Sequence, residues 1–360
     1  MLQRFILILT LVAGAYSCDA QYAGCFMPDV NNEIQLETKT DFSKYRAFFV
    51  GEFHGVYGTP EVKLAMIKYL NKQLGVTDVF MEIGYSAAWL YNMYLASGDT
   101  SLFTRPELVY AGKQVNRDMW KQLYKYNKTL SHKIAIHGVD FERMDFVKTL
   151  KFLKPLGRLP PKEIAPTLSY IDTLAISKVN NDSFSSIYEH LKKAVDSNRL
   201  LYEQYYGPNF KIVSSILFNE NTFDKFKERN ATMYQNLAKQ IQQYGIRQFV
   251  AFAGMNHANR GDEQSLYSLV AKTDSFKSKT VDIAMVCKNC FDLQLAAGKQ
   301  TVPFRGPYTY EQDDKLMNSV YGKYNDSKCR YLMIPTSDIA DQRVKQFSDY
   351  LILMKDQQEY

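Results

Sequence analysis

Four short apolar runs, each ending in ionisable side chains, constrain this chain more than any other feature. Ala47-Phe48-Phe49-Val50 runs into Gly51-Glu52-Phe53-His54-Gly55, and Val79-Phe80-Met81 ends at Glu82. Ile134-Ala135-Ile136 leads to His137-Gly138-Val139-Asp140, and Phe249-Val250-Ala251-Phe252-Ala253 ends in Gly254-Met255-Asn256-His257. Short apolar runs bounded by glycine read as buried strands. In an open α/β sheet, ligands gather beyond the carboxyl ends of such strands. The pattern therefore predicts that Glu52, His54, Glu82, Asp140 and His257 converge on one cleft.

The segments between these runs supply the connections that a parallel sheet needs. Strands are expected at 46–50, 78–82, 134–139, 247–253, 279–286 and 330–334. Pro60 opens an amphipathic helix through Val62, Leu64, Ala65, Ile67 and Leu70, and Gly75 suits its C-terminal cap. Helical patterns also run over 87–96, 115–130 and 262–272. From Glu142 to Tyr244 there is no strand pattern, whereas 143–153, 162–176, 183–206 and 222–244 keep a helical period. The expected class is α/β: a central, mostly parallel sheet flanked by helices, with a helical insertion over about 142–223. Rooted at Asp140 and Arg229, that insertion is a candidate lid. Residues 22–45 read as a polar lead-in and 291–328 as irregular surface, all within a single domain spanning 22–360.

The first 20 residues read as a signal peptide: Arg4, an apolar stretch from Phe5 to Val12, then small residues. The stretch is too short to span a membrane, which takes roughly 20 apolar residues. Ala15-Tyr16-Ser17-Cys18 resembles a lipobox, which would anchor the chain through a lipid on Cys18; Cys18-Asp19-Ala20 resembles an ordinary cleavage site. Both predict export, to a periplasm, a cell surface or the medium. Beyond this region remain Cys25, Cys287, Cys290 and Cys329, an even number suited to an oxidising compartment. Cys287-Lys288-Asn289-Cys290 lies deep in the chain with no second pair to complete a zinc site, so a structural disulfide is expected, within the pair or with Cys25 and Cys329. The net charge of +6 is spread without an Arg/Lys block, so nothing points to a nucleic-acid partner.

Gly51-Glu52-Phe53-His54 and Gly254-Met255-Asn256-His257 are both Gly-x-x-His at a strand end. Glycine lets the backbone turn and a ligand approach closely, and imidazole offers metal ligation or proton transfer near neutral pH. Glu61 lies in the first turn of its helix, favoured there by the helix N-terminus and a candidate to hold His54 or a metal. Arg229 shares a helix face with Met233 and Asn236 and is a candidate clamp for a carboxylate or an oxyanion. His132 and His190 sit in polar helical contexts and read as surface, while His137 lies inside a strand.

Gly51-Glu52-x-His54-Gly55, Glu61, Phe80-Met81-Glu82, Gly138-x-Asp140, Arg229-x-x-x-Met233-x-x-Asn236 and Asn256-His257 follow an order that resembles the erythromycin esterase-like proteins. The paired Gly-x-x-His also resembles the wider superfamily of Tiki metalloproteases, TraB proteins and ChaN-type haem-binding lipoproteins. The resemblance covers roughly residues 46–260 and implies an α/β fold with these residues in one cleft and hydrolytic chemistry in the esterase and Tiki branches. The spacing from Glu52 to His54 is one residue shorter than the usual esterase pattern, which weighs against a macrolide substrate.

With no Gly-x-Ser-x-Gly elbow in the chain, direct attack by water on an ester or amide, from a small molecule or a peptide, is the expected reaction. His54 would be the base, oriented by Glu52 or Glu82, with His257 and Arg229 facing the oxyanion. In a metal-assisted version His54, Glu82 and His257 are ligands of a divalent ion. The competing expectation is a non-catalytic haem- or ligand-binding lipoprotein using the same cleft.

Overall fold

The computed structural model describes residues 22–103, 114–143, 145–174, 181–219, 228–291, 301–305, 320–322 and 327–355. The strands are β1 Gly24–Pro28, β2 Ile34–Thr38, β3 Ala47–Glu52, β4 Asp78–Met81, β5 Ala135–Gly138, β6 Phe249–Gly254, β7 Thr280–Phe291, β8 Thr301–Arg305, β9 Tyr331–Pro335 and β10 Tyr350–Lys355. They form one sheet in the order β2-β1-β9-β10-β7-β3-β6-β4-β5, with β8 paired to β7. The six strands from β10 to β5 along that order run parallel, and the remaining pairs are antiparallel.

Side chains alternate across the strands, and both faces of the central sheet are covered. Phe48, Val50, Val79, Met81, Val250 and Phe252 pack on one face against α1 Gly58–Leu74, α2 Tyr85–Ser97 and α3 Gln114–Thr129. Ala47, Phe49, Phe80, Phe249 and Ala251 pack on the other against Met233 and Leu237 of α9 Arg229–Tyr244 and Leu266 and Val270 of α11 Leu266–Ala271. Gly75, at φ +71°, closes α1 in the left-handed conformation that favours glycine.

The helical insertion contains α4 Asp145–Leu153, α5 Ala165–Thr173, α6 Asn181–Ser197, α7 Arg199–Tyr206 and α8 Phe210–Leu217. Its apolar side chains form a cluster of their own, with Tyr202 and Tyr206 among the buried members. The remaining helices are α10 Met255–Ala258, which carries His257, and α12 Gln342–Phe347.

Two expectations need correction. The lead-in at 22–45 is a β1–β2 hairpin, held in the sheet because Phe26 and Leu36 are buried and β1 pairs with β9. The stretch 291–328 is not all irregular, since it holds β8, which pairs with β7. Within 291–328, residues 292–300, 306–319 and 323–326 lie outside the described residues, as does the signal peptide. Cys25 is bonded to Cys329 across 304 residues, clamping the hairpin to the segment leading into β9. Cys287 is also disulfide-bonded.

Closing so long a loop restricts the unfolded chain strongly. Replacing Cys25 and Cys329 with serine should cost about 2–5 kcal/mol of stability. Urea unfolding measures this, and a loss below about 0.5 kcal/mol would mean that the hairpin is held without the bond.

Candidate active site

Parallel pairing brings the chemistry-bearing residues to one edge of the sheet. Glu52 ends β3 opposite Gly254 of β6, Met81 is opposite Phe252, and Met81 is also opposite Gly138 of β5. The residues that follow these strand ends are Glu82, Asp140 and, one turn into α10, His257.

Glu82 is the hub. Arg229 Nη2 donates to Glu82 Oε1 at 2.5 Å and the Gly254 amide donates to Oε2 at 2.6 Å. His257 Nε2 lies 3.5 Å from Oε1 and His54 Nε2 lies 3.5 Å from Oε2. Arg229 also grips Asp140 through two bonds, Nε to Oδ1 at 2.9 Å and Nη2 to Oδ2 at 2.6 Å. Arg229, expected as an oxyanion clamp, is thus committed to two carboxylates. Asn236, on the same helix, holds the Val139 carbonyl at 3.1 Å and fixes α9 to the loop that carries Asp140.

His54 stands between Glu82 and Glu52, whose Oε1 lies 3.5 Å from its Nδ1. Lys63 Nζ reaches Glu52 Oε2 at 2.7 Å, so the site holds the cations His54, Lys63 and Arg229 against Glu52, Glu82 and Asp140. Burial alone would lower the His54 pKa, but hydrogen bonds and charge from Glu52 and Glu82 prevail and raise it to about 10. Burial opposes ionisation of Glu82, yet His257 and His54 hold it well below the ordinary carboxylate value. Glu52 is shifted down too: Lys63 and His54 outweigh the burial that would raise it.

His257 donates from Nδ1 to Asn230 Oδ1, a contact that fixes the ring and turns Nε2 toward Glu82. A methyl group on Gly254 would lie 3.1 Å from Glu82 Oε2, 3.3 Å from His54 Nε2 and 3.7 Å from His257 Cδ2. Gly254 therefore lets these three side chains close tightly over its backbone, with no room there for a side chain of its own. A cavity of about 70 Å³ is lined by Glu52, His54, Lys63 and Glu82 and by an apolar wall that includes Met81, Tyr91 and Trp120. Tyr91 and Trp120 stack with ring centroids 4.0 Å apart. Among the described residues no serine or cysteine lines this cavity, and the Thr59 hydroxyl is donated to the Phe53 carbonyl at 2.9 Å.

Glu61 stands apart. Its carboxylate accepts from the Tyr331 hydroxyl and lies 3.5 Å from Arg330 Nε, facing a separate cleft. Of the expected metal set of His54, Glu82 and His257, Glu82 accepts from Arg229 and Gly254 with one oxygen each. No three His, Cys, Asp or Glu side chains gather as metal ligands among the described residues. His137 is a core residue, hydrogen-bonded to Asp78 at 2.8 Å and stacked on Phe80, while His132 and His190 are exposed. None of the described residues lining the cavity belongs to the helical insertion.

Sequence reasoning missed Lys63 and Asn230. Lys63 carried a faint signal, since it follows Thr59 by four residues and so shares its helix face toward the cavity. Asn230 carried none beyond its place next to Arg229.

His54 gains its proton affinity only in the folded state, from an ordinary value of 6.5 to about 10. The stability it contributes is therefore fully present below pH 6.5 and lost as pH rises through about 10. Melting temperatures of the wild type and of His54→Gln should differ most at about pH 6.5 and below, and converge as pH rises through about 10. A gap that widens there would contradict the charge assignment.

No family of known sequences matches the chain, and no curated protein does. Solved structures do. A histidine mutant of the erythromycin esterase EreC in its open conformation aligns at a TM-score of 0.56 with 12% identity, covering 88% of this chain and 91% of that one. A succinoglycan biosynthesis protein aligns at 0.55 with 16% identity over 87% and 88% of the two chains. A protein from Bacillus cereus aligns at 0.53 with 13% identity over 87% and 89%. Identities this low speak for the fold alone, and that fold is the erythromycin esterase-like α/β fold.

Proposed function

We propose that this chain is an exported hydrolase that cleaves an ester or amide by direct attack of water. The observation that carries the reading is the gathering of His54 and His257 on the Glu82 carboxylate, with His54 and Glu82 also lining the cavity. Among the described residues the cavity lining has no serine or cysteine, which supports water attack over an acyl-enzyme. The esterase activity named for EreC agrees with this reading. The disulfide between Cys25 and Cys329 agrees with export, by way of a signal peptide or a lipid on Cys18.

In this mechanism a water lies against His257 Nε2, at the edge of the cluster that borders the cavity. His257, oriented through Asn230, is the general base: its Nε2 takes a water proton as the water oxygen bonds to the carbonyl carbon. His54, kept protonated by Glu52 and Glu82, cannot serve as that base. With Lys63 it instead stabilises the developing oxyanion. Collapse breaks the carbon–oxygen or carbon–nitrogen bond, and the proton held by His257 passes to the leaving group. Glu82 holds the two imidazoles apart, and Arg229 with Asp140 holds Glu82. The apolar wall of Met81, Tyr91 and Trp120 suits the hydrocarbon part of a small-molecule or peptide substrate.

The haem-binding alternative fits less well. A cavity of about 70 Å³ is far smaller than a porphyrin, and a buried set of three carboxylates and three cations serves no evident purpose there. A strong Soret band at one haem per chain, with no hydrolysis across an ester and peptide panel, would reverse the ranking. Turnover that is lost on chelation and restored by zinc would return the metal-assisted version.

Gly254→Ala keeps an allowed backbone conformation, φ −52° and ψ 147°, but sets its methyl 3.1 Å from Glu82 Oε2 and 3.3 Å from His54 Nε2 and so displaces the cluster. It should lower kcat about 100-fold, and His257→Ala should lower kcat by about 100-fold or more. The pH profile separates the two histidines. With His54 acting as a cation, kcat/KM falls as pH rises through about 10. A rate that climbs through that range would make His54 the base.

A further inference from the structure

Between α4 and α5 the chain makes a turn unlike the rest of the described surface. Leu156 is 102% exposed and Leu159 89% exposed, and Phe152, in the last turn of α4, is 51% exposed. Gly157, at φ +73°, has nothing within 4 Å of where a side chain would begin, so the tip stands clear of the fold. Pro155, Pro160 and Pro161 stiffen it. The Pro161 carbonyl accepts from the amides of Ile164 and Ala165, which fixes the turn to the start of α5.

The charge at the tip is mostly positive. Residues 151–162 contain Lys151, Lys154, Arg158 and Lys162 and no carboxylate, and the exposed Glu163 follows at the base of α5. Lys151 and Lys154 are tied down at the base, to the carbonyls of Asp172, Leu174 and Leu168 and to the Asp172 carboxylate. Arg158 and Lys162 are exposed beside the two leucines.

We propose that this tip docks the protein on an anionic lipid surface, with Leu156 and Leu159 entering the headgroup–acyl boundary and Arg158 and Lys162 contacting acidic headgroups. Apolar side chains flanked by cations are the pairing that such an interface rewards, since buried hydrocarbon and headgroup charge contribute together. A bilayer suits the shape better than a protein partner. Side chains surrounded by solvent on nearly every side need a concave or deformable surface to cover them, and a fluid interface closes around a projection. The tip lies outside the candidate active site, and its docking does not depend on the hydrolytic reading.

The test uses the full chain carrying Leu156→Cys labelled with a polarity-sensitive fluorophore, with the unsubstituted chain treated alike as background. Vesicles are either pure phosphatidylcholine or equal parts phosphatidylcholine and phosphatidylglycerol. The emission should shift to the blue with the anionic vesicles and not with the neutral ones. In cosedimentation, Leu156→Asp/Leu159→Asp and Arg158→Glu/Lys162→Glu should each weaken partitioning by about tenfold or more at unchanged melting temperature. Emission that stays fixed while the protein sediments with vesicles would assign binding to another segment and overturn the proposal. So would an equal shift with both vesicle types, or a concentration-dependent shift without vesicles, which would point to a second copy of the chain.

Discussion

The carboxylate of Glu82 is the contact on which the site depends. It lies at the end of β4 with its side chain only 8% exposed, and ionising it there is unfavourable unless its oxygens are met by donors. They are met from three directions: Arg229 on α9, the Gly254 amide at the end of β6, and the imidazole of His54. Each donor comes from a different part of the chain, so the cluster is complete only when the sheet, α9 and α10 are all assembled. A neutral side chain at this position would leave Arg229 with half its partners and His54 with one carboxylate instead of two.

That dependence explains how two histidines in the same Gly-x-x-His setting come to differ. His54 faces carboxylates through both ring nitrogens, whereas His257 gives one nitrogen to the neutral Asn230. Environment, not local sequence, sets the two rings apart.

Much of the central sheet was legible because its strands are continuous apolar runs, the mark of strands buried on both faces. The expected strands at 46–50, 78–82, 134–139, 247–253, 279–286 and 330–334 all correspond to strands in the structure. The edge was harder to read. In β1 and β2 only Phe26 and Leu36 are buried apolar side chains, and β10 lies beyond the last expected strand at 330–334. Within the site, residues at strand ends could be read from position. The charge of His54 and the engagement of Arg229 could not, because both follow from side chains up to 147 residues away in sequence. Glu61 shows the converse: its place near His54 in the chain suggested contact, but a helix turns successive side chains to different faces, and this one faces Tyr331.

The bond between Cys25 and Cys329 has a consequence for the order in which the protein is made. β1 pairs with β9, so β1 has no place in the sheet until residues 331–335 have followed it. While the intervening residues are made the hairpin must wait, with the unpaired backbone edge that invites association with other chains. The central parallel strands can assemble around β3 in the meantime, but one side of the sheet is finished last, by the early β1–β2 hairpin and the late β9 and β10 together. Oxidation of the cysteine pair then records that synthesis has passed Cys329, since a product that stops before it offers Cys25 no such partner.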